Sequence, residues 1–184
     1  PNIGLSVLKS KLELENKIKS TDIAYYIGPC INAAGRIGDP FLGFNLLVKN
    51  NKKDLEVIAE KLINSNNERK TLESISYNQA KMFLKNLTNM KYIFLYSKTW
   101  HPGIIGIIAS RLVQEYKVPA FVMNIDKNKV TGSVRSIKNI DISKILAKLV
   151  DEGFLESGGG HAMAGGFKLS CLLYTSDAAD DDVR

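Results

Sequence analysis

Between Asp54 and Leu87 the chain runs without a glycine or a proline. Leu55, Ile58, Leu62, Leu72, Ile75, Ala80, Phe83 and Leu87 mark a narrow apolar stripe along it. Such length without a breaker predicts one long helix, with an interruption near the polar "NSNNERK" as the alternative. A helix of this kind is expected to join two lobes.

The sequence differs on the two sides of that helix. On the N-terminal side, Gly4 to Lys17 carries Leu5, Leu8, Leu12 and Leu14 near helical spacing, and Phe41 to Asn50 reads as a short amphipathic helix. Between them lies "STDIAYYIGPCINAAGRIGDP", where Gly28-Pro29, Gly35, Gly38 and Asp39-Pro40 punctuate too densely for a regular element. That stretch reads as an ordered loop or a chemical site. On the C-terminal side "KYIFLYS", "PAFVMNI", "KVTGSVRSI" and "GGFKLS" read as strands, "HPGIIGIIASRLVQEY" as a loop and then a helix, and "DISKILAKLV" as a helix. Strands interleaved with helices predict a compact α/β or α+β domain.

No stretch approaches the roughly 20 apolar residues of a membrane span. The opening "PNIGLSVLKSK" lacks the basic-then-apolar order of a signal peptide, so a cytoplasmic protein is expected. The two cysteines, Cys30 and Cys171, form no CxxC pair and have no histidine at zinc spacing, which argues against a disulfide framework or a structural zinc. The closing "CLLYTSDAADDDVR", Cys171 to Arg184, has no periodic apolar face and reads as a translated sequencing adapter. Setting it aside removes four aspartates and one arginine, leaving 24 basic against 15 acidic side chains and moving the formal charge from +6 to +9. A positive balance favours anionic partners without choosing among them. Pro1 leads into the first apolar pattern without a starting cap, and the chain reads as a piece cut at both ends.

Four stretches concentrate chemistry: "GPCINAAGR", "WHPGIIG", "GSVRS" and "GGGHAMAGG". In the first, Asn32 and Arg36 would share a face if helical and could grip a phosphate or sugar; a buried turn capped by Asn32 is the alternative. In the second, His101 precedes a proline at the mouth of an apolar helix, where free N–H groups favour an anion; an ordinary turn with a capping or surface His101 is equally compatible. In the third, strand alternation puts Ser133 and Arg135 on one face, a hydroxyl beside a guanidinium fork, unless Arg135 is merely a solvated edge residue. In the fourth, Gly158, Gly159 and Gly160 could adopt positive φ and turn N–H groups toward a polyanion, with His161 adding a donor. A flexible linker fits less well, because apolar Ala162, Met163 and Ala164 follow.

The stretches "IGPCINAAGRIGD", "WHPGIIGIIASRLVQEYKVPAFVM", "GSVRSI" and "GGGHAMAGGFKL", in this order, resemble the RecJ family of single-strand-specific exonucleases within the DHH phosphoesterase superfamily. The resemblance spans residues 27 to 170. It implies an α/β fold: residues 1–50 as the tail of the DHH catalytic domain, 51–90 as the connecting helix, and 91–170 as a mixed-sheet DHH-associated domain that binds substrate. It implies that Asn32, Arg36, Ser133, Arg135, Gly158, Gly159, Gly160 and His161 face substrate, and it places His101 in the family's histidine motif.

The resemblance further implies single-stranded DNA, 5′-phosphorylated, as partner, digested from the 5′ end in DNA repair and recombination. Hydrolysis would use two divalent ions, Mn2+ or Mg2+. The Asp-x-Asp and Asp-His-His motifs that hold those ions in the family are not in this sequence. The chain is therefore expected to hold substrate, to contain no catalytic or metal-ligating residue, and to be inactive alone. Cys30 stands where the family often has Arg after Gly-Pro, an exchange that would remove one positive contact. Two rival implications are a DHH-family oligonucleotide or cyclic-dinucleotide phosphodiesterase, and a non-catalytic nucleic-acid-binding DHH-associated module.

Overall fold

Asn2 begins the first helix, α1 (Ile3–Lys11): its side chain accepts from the Leu5 N–H at 3.0 Å and donates to the Leu47 carbonyl at 2.8 Å. The missing start cap expected from the sequence is thus present in Asn2. The helix stops at Lys11, short of Lys17, because Glu13 turns left-handed at φ 55°. The computed structural model describes residues 2–15 and 17–170; the adapter-like stretch from Cys171 lies outside the described residues. The chain divides into two units, Pro1–Ser74 and Ile75–Arg184.

The densely punctuated stretch is helical almost throughout, contrary to the loop reading. Ser20–Asp22 (α2) leads into a π-helical turn, Ile23–Ile27, and this into α3 (Gly28–Ile37). Gly28 closes the wide turn through its N–H to the Ile23 carbonyl, and a Cβ there would lie 2.8 Å from that same oxygen. Pro29 falls in the first turn of α3, where a proline ring is tolerated. Glycine and proline therefore mark a junction between two helical geometries rather than a break. Gly38 ends α3, and Asp39 accepts from the Phe41 N–H at 2.9 Å as α4 (Phe41–Val48) begins.

Helix α5 (Lys52–Leu84) runs 33 residues without the interruption considered at "NSNNERK". Two of its polar residues there, Asn66 and Arg69, turn inward and are satisfied. Asn66, 4% exposed, donates to the Cys30 sulfur at 3.4 Å and accepts from Arg69 Nε at 3.2 Å, and Arg69 pairs with Glu73 at 2.6 Å. Burial pushes the Cys30 thiol above its ordinary pKa. Leu8, Cys30, Ala34, Leu46, Leu55, Ala59 and Leu62 form the core of this first unit.

The second unit takes the end of α5 and a five-stranded sheet in the order β1-β2-β3-β5-β4. Its elements are β1 (Ile93–Ser97), α6 (Ile105–Tyr116), β2 (Ala120–Asp126), β3 (Lys129–Arg135), α7 (Ile142–Asp151), β4 (Ser157–His161) and β5 (Ala164–Ser170). β1 and β2 are parallel, joined through α6, and the other pairs are antiparallel, so the sheet is mixed as expected. Helix α6 packs against β2 and β3, and α7 against β4 and β5. Met123, Val130, Val134, Ile142, Leu146, Leu155 and Phe167 fill the α7 side.

Trp100, 1% exposed, fastens α5 to this unit: its indole N–H donates to Gln79 at 2.9 Å, and its carbonyl accepts from the buried Asn124 amide at 2.7 Å. Beside it the Tyr77 hydroxyl donates to Glu115, whose other oxygen takes Lys81 at 2.8 Å, while the Arg111 guanidinium lies 3.9 Å from the Tyr77 ring centroid. Burial and the bond to Glu115 push the Tyr77 hydroxyl up to about 12. The raised value means that this bond stabilises fully below the ordinary tyrosine range near 10 and is lost as pH rises toward about 12. Tyr77→Phe should remove the latest-titrating tyrosine from an ultraviolet tyrosinate titration and cost about 0.5–1.5 kcal/mol at neutral pH. An unchanged titration would contradict the assignment.

The ring of Phe167 lies across Gly132, where an added Cβ would meet ring atoms at 2.1 to 2.5 Å. Gly132→Ala must displace a buried aromatic ring and should cost about 1–3 kcal/mol in thermal or denaturant unfolding. Unchanged stability would show that the ring is not fixed there.

Candidate functional site

Alternation along the paired strands sorts the glycines of the sheet onto two faces. Ser133 pairs with Gly166, and Gly166 with Gly159; Arg135 pairs with Ala164, and Ala164 with His161. Each row shares one face, so Ser133, Arg135, Gly159, His161 and Gly166 look to the same side. Gly132, Gly158 and Gly165 look to the other, toward Phe167, Leu146 and Ile142.

The side carrying Ser133 and Arg135 is the one α6 covers. A Cβ on Gly106, in the first turn of α6, would lie 2.9 Å from Ser133 Oγ and 3.1 Å from Arg135 Nη2. The missing side chain of Gly106 lets the helix start directly beside these two groups. Arg135 Nη1 donates to Ser133 Oγ at 3.1 Å and to the Val134 carbonyl at 2.9 Å, which holds the guanidinium along its own strand. Beyond the helix the sheet is bare: Gly159, His161, Gly166 and Lys168 are exposed. A Cβ on Gly159 would meet nothing within 4 Å, and one on Gly166 only the Gly132 carbonyl at 3.6 Å. Packing does not demand glycine at either position.

The segment "SGGGH" is strand β4, not the anion-cradling loop expected. Gly158 and Gly159 stand in the ladder with β5, and only Gly160 has a positive φ, 153°. Any Cβ on Gly160 would press against the Ala164 carbonyl at 2.2 Å. Gly158 faces α7, so of the three glycines Gly159 alone presents open backbone on the Arg135 side. The hairpin tip is tethered: the Ala162 carbonyl accepts from Ile142 N–H at 3.0 Å and the Met163 carbonyl from Ser136 N–H at 2.9 Å. Asp141 caps α7 by accepting from Ser143 N–H at 3.0 Å and Ser143 Oγ at 2.6 Å, and the hydroxyl bond holds its carboxyl below the usual range. His161 therefore ends a hairpin fixed in position.

His101 is exposed, and its Nδ1 accepts from Gly103 N–H at 3.0 Å within its own turn. Accepting at Nδ1 leaves the proton of the neutral ring on Nε2. Pro102 belongs to this turn and not to the first turn of α6, which starts at Ile105. In the first unit Asn32 and Arg36 do share the exposed face of α3, with Gly35 between them, while Cys30, Ala33 and Ala34 are buried. Asn32 is inside the helix and does not cap a turn. Cys30, bonded to Asn66, lies on the buried side of α3. Among the described residues no three His, Cys, Asp or Glu side chains could hold a metal ion, and no helix is long and apolar enough to cross a membrane.

Gly106, Gly166 and Lys168 were not singled out from the sequence. Gly106 could have been found from the "GxxG" at the helix start, and Gly166 from period-two alternation once "SGGGH" is taken as a strand.

Residues 89–179 match the family model of the DHHA1 domain, which extends past residue 170, where the sequence reading closes the domain. Over 158 residues the chain is 32% identical to the single-stranded-DNA-specific exonuclease RecJ of Haemophilus influenzae, covering 82% of this chain and 28% of that protein. The RecJ structure from Thermus thermophilus in complex with Mg2+ superposes with a TM-score of 0.80 at 29% identity, over 96% of this chain and 27% of that one. Its Mn2+ complex gives 0.79, over 96% and 26%. This is a RecJ-type chain carrying a DHHA1 domain. It spans less than a third of the length of the curated RecJ relatives it matches.

For this RecJ-type chain the two glycine sets make opposite demands. Gly159→Ala and Gly166→Ala should leave unfolding free energy within about 0.5 kcal/mol, measured by chemical denaturation, because the new methyl groups enter open space. A loss as large as that expected for Gly132→Ala would show that the bare strip is packed.

Proposed function

We propose that this chain is the strand-holding part of a cytoplasmic 5′-to-3′ single-stranded-DNA exonuclease that serves DNA repair and recombination. The bare glycine strip beside Arg135 and Ser133 carries this reading. A guanidinium and a hydroxyl held together suit the oxygens of a terminal phosphate, and charge-assisted bonds of this kind are the strong ones. Gly159 and Gly166 let a sugar-phosphate backbone lie against the sheet without meeting a side chain. His161 stands at the end of the strip as a further donor, and His101 offers Nε2–H. Asn32 and Arg36, on one exposed helix face, take a further phosphate or sugar.

Hydrolysis in such an enzyme draws on divalent ions, Mn2+ or Mg2+, which activate water and stabilise developing charge. The described residues do not form a ligand set for them. In this reading the ions belong to other residues of the full-length enzyme, and this chain binds and orients the strand.

In the full-length enzyme Arg135→Ala should weaken binding of a 5′-phosphorylated single strand by about 1.5–3 kcal/mol in a fluorescence titration, as one charge-assisted contact is lost. A 5′-hydroxyl strand should lose less. Equal affinity of wild type and variant for the phosphorylated strand would remove Arg135 from the site.

A further inference from the structure

On the opposite sheet face α7 packs on β4 and β5 and leaves the β1 half uncovered. There Phe94 and Tyr96 of β1 point the same way, and the exposed Tyr92 lies in the bend just before the strand, two residues ahead of Phe94. The three rings are 63%, 57% and 61% exposed at Tyr92, Phe94 and Tyr96 respectively. Phe94 rests on an aromatic base: Phe94 and Phe121 have centroids 6.2 Å apart, and Phe121 and the buried Phe167 6.4 Å apart. The segment "KYIFLYSK" sets a lysine at each end, Lys91 and Lys98, both exposed, and contains no acidic residue.

We propose that Tyr92, Phe94 and Tyr96 form a second binding surface, a stacking platform for the bases of single-stranded nucleic acid. Successive outward rings on a strand stand about 7 Å apart. That is about twice the 3.4 Å rise of stacked bases, so only an unstacked, extended strand can set one base on each ring. Aromatic faces accept any base, and the bracketing lysines complement the phosphates. The choice of rings rather than aliphatic side chains, in a segment with a lysine at each end and no acidic residue, favours nucleic acid over a protein segment as the occupant. The inference deepens the reading above and rests on it for the substrate class. Its chemistry is separate, because no terminal phosphate is needed and the rings of Phe94 and Tyr96 lie on the face away from Arg135.

The test uses the full chain with a 5′-hydroxyl oligothymidylate, followed by fluorescence anisotropy, and compares it with the 5′-phosphorylated strand. Phe94→Ala and Phe94→Leu should each weaken binding about tenfold or more, since stacking and not apolarity is lost, whereas Phe94→Trp should bind as tightly as wild type. Tyr92→Ala, which precedes the strand, should behave like Phe94→Ala without disturbing the sheet. Arg135→Ala should lose more affinity for a 5′-phosphorylated strand than for this probe, whereas the ring variants should lose the same factor for both, which separates failure of the phosphate site from failure of the platform. Wild-type affinity in Phe94→Leu and Tyr92→Ala would overturn the proposal. So would a change in sedimentation, on substituting these rings, that shows the strip pairing two copies of the chain.

Discussion

The arrangement of the second unit depends on one contact, the ring of Phe167 laid over Gly132. Side chains alternate along a strand, so slipping the β3–β5 register by one residue would exchange the two faces. Phe167 has room only over a residue without a Cβ, and Gly132 and Gly158 flank it in the neighbouring strands. With that register fixed, Ser133, Arg135, Gly159, His161 and Gly166 are turned to the opposite side. A core contact on one face thus sets the chemistry of the other.

The helices then divide the sheet between them. Helix α6 covers one face over β2 and β3, and α7 the other over β4 and β5, so each face keeps a bare half. One bare half is lined by glycine and bordered by Arg135 and Ser133; the other carries aromatic rings and is bordered by lysines. Uncovered sheet in this unit is consequently concentrated in two places of opposite character: open backbone suited to phosphate and sugar, and ring faces suited to bases.

The legible parts of the sequence were those where one period ran undisturbed. The breaker-free run became α5, the alternation of "KVTGSVRSI" became β3, and the apolar runs "KYIFLYS" and "PAFVMNI" became β1 and β2. What misled was glycine. In "IGPCINAAGR" it was taken to break structure, but Gly28 fits the narrow space of a π-to-α junction within a continuous helix. In "SGGGHAMAGG" it was taken for a loop, because glycine conceals the period-two pattern that side chains would display. The pairing of Ser133 with Arg135 was visible as spacing i, i+2; the approach of Gly106 to both is a tertiary contact that no local period encodes. At "NSNNERK" polarity pointed to an exposed break, yet Asn66, Arg69 and Glu73 satisfy one another against α3.

The central claim is that one sheet carries glycines of two kinds, one set required by packing and the other by a ligand. The most direct measurement is a backbone-amide NMR map of the full chain during titration with a 5′-phosphorylated oligothymidylate. The account predicts that the shifts gather at Gly106, Ser133, Arg135, Gly159, His161 and Gly166, with a second group at Tyr92, Phe94 and Tyr96 and with α7 (Ile142–Asp151) unmoved. Shifts centred on α7, with none at Arg135 or Gly159, would contradict it.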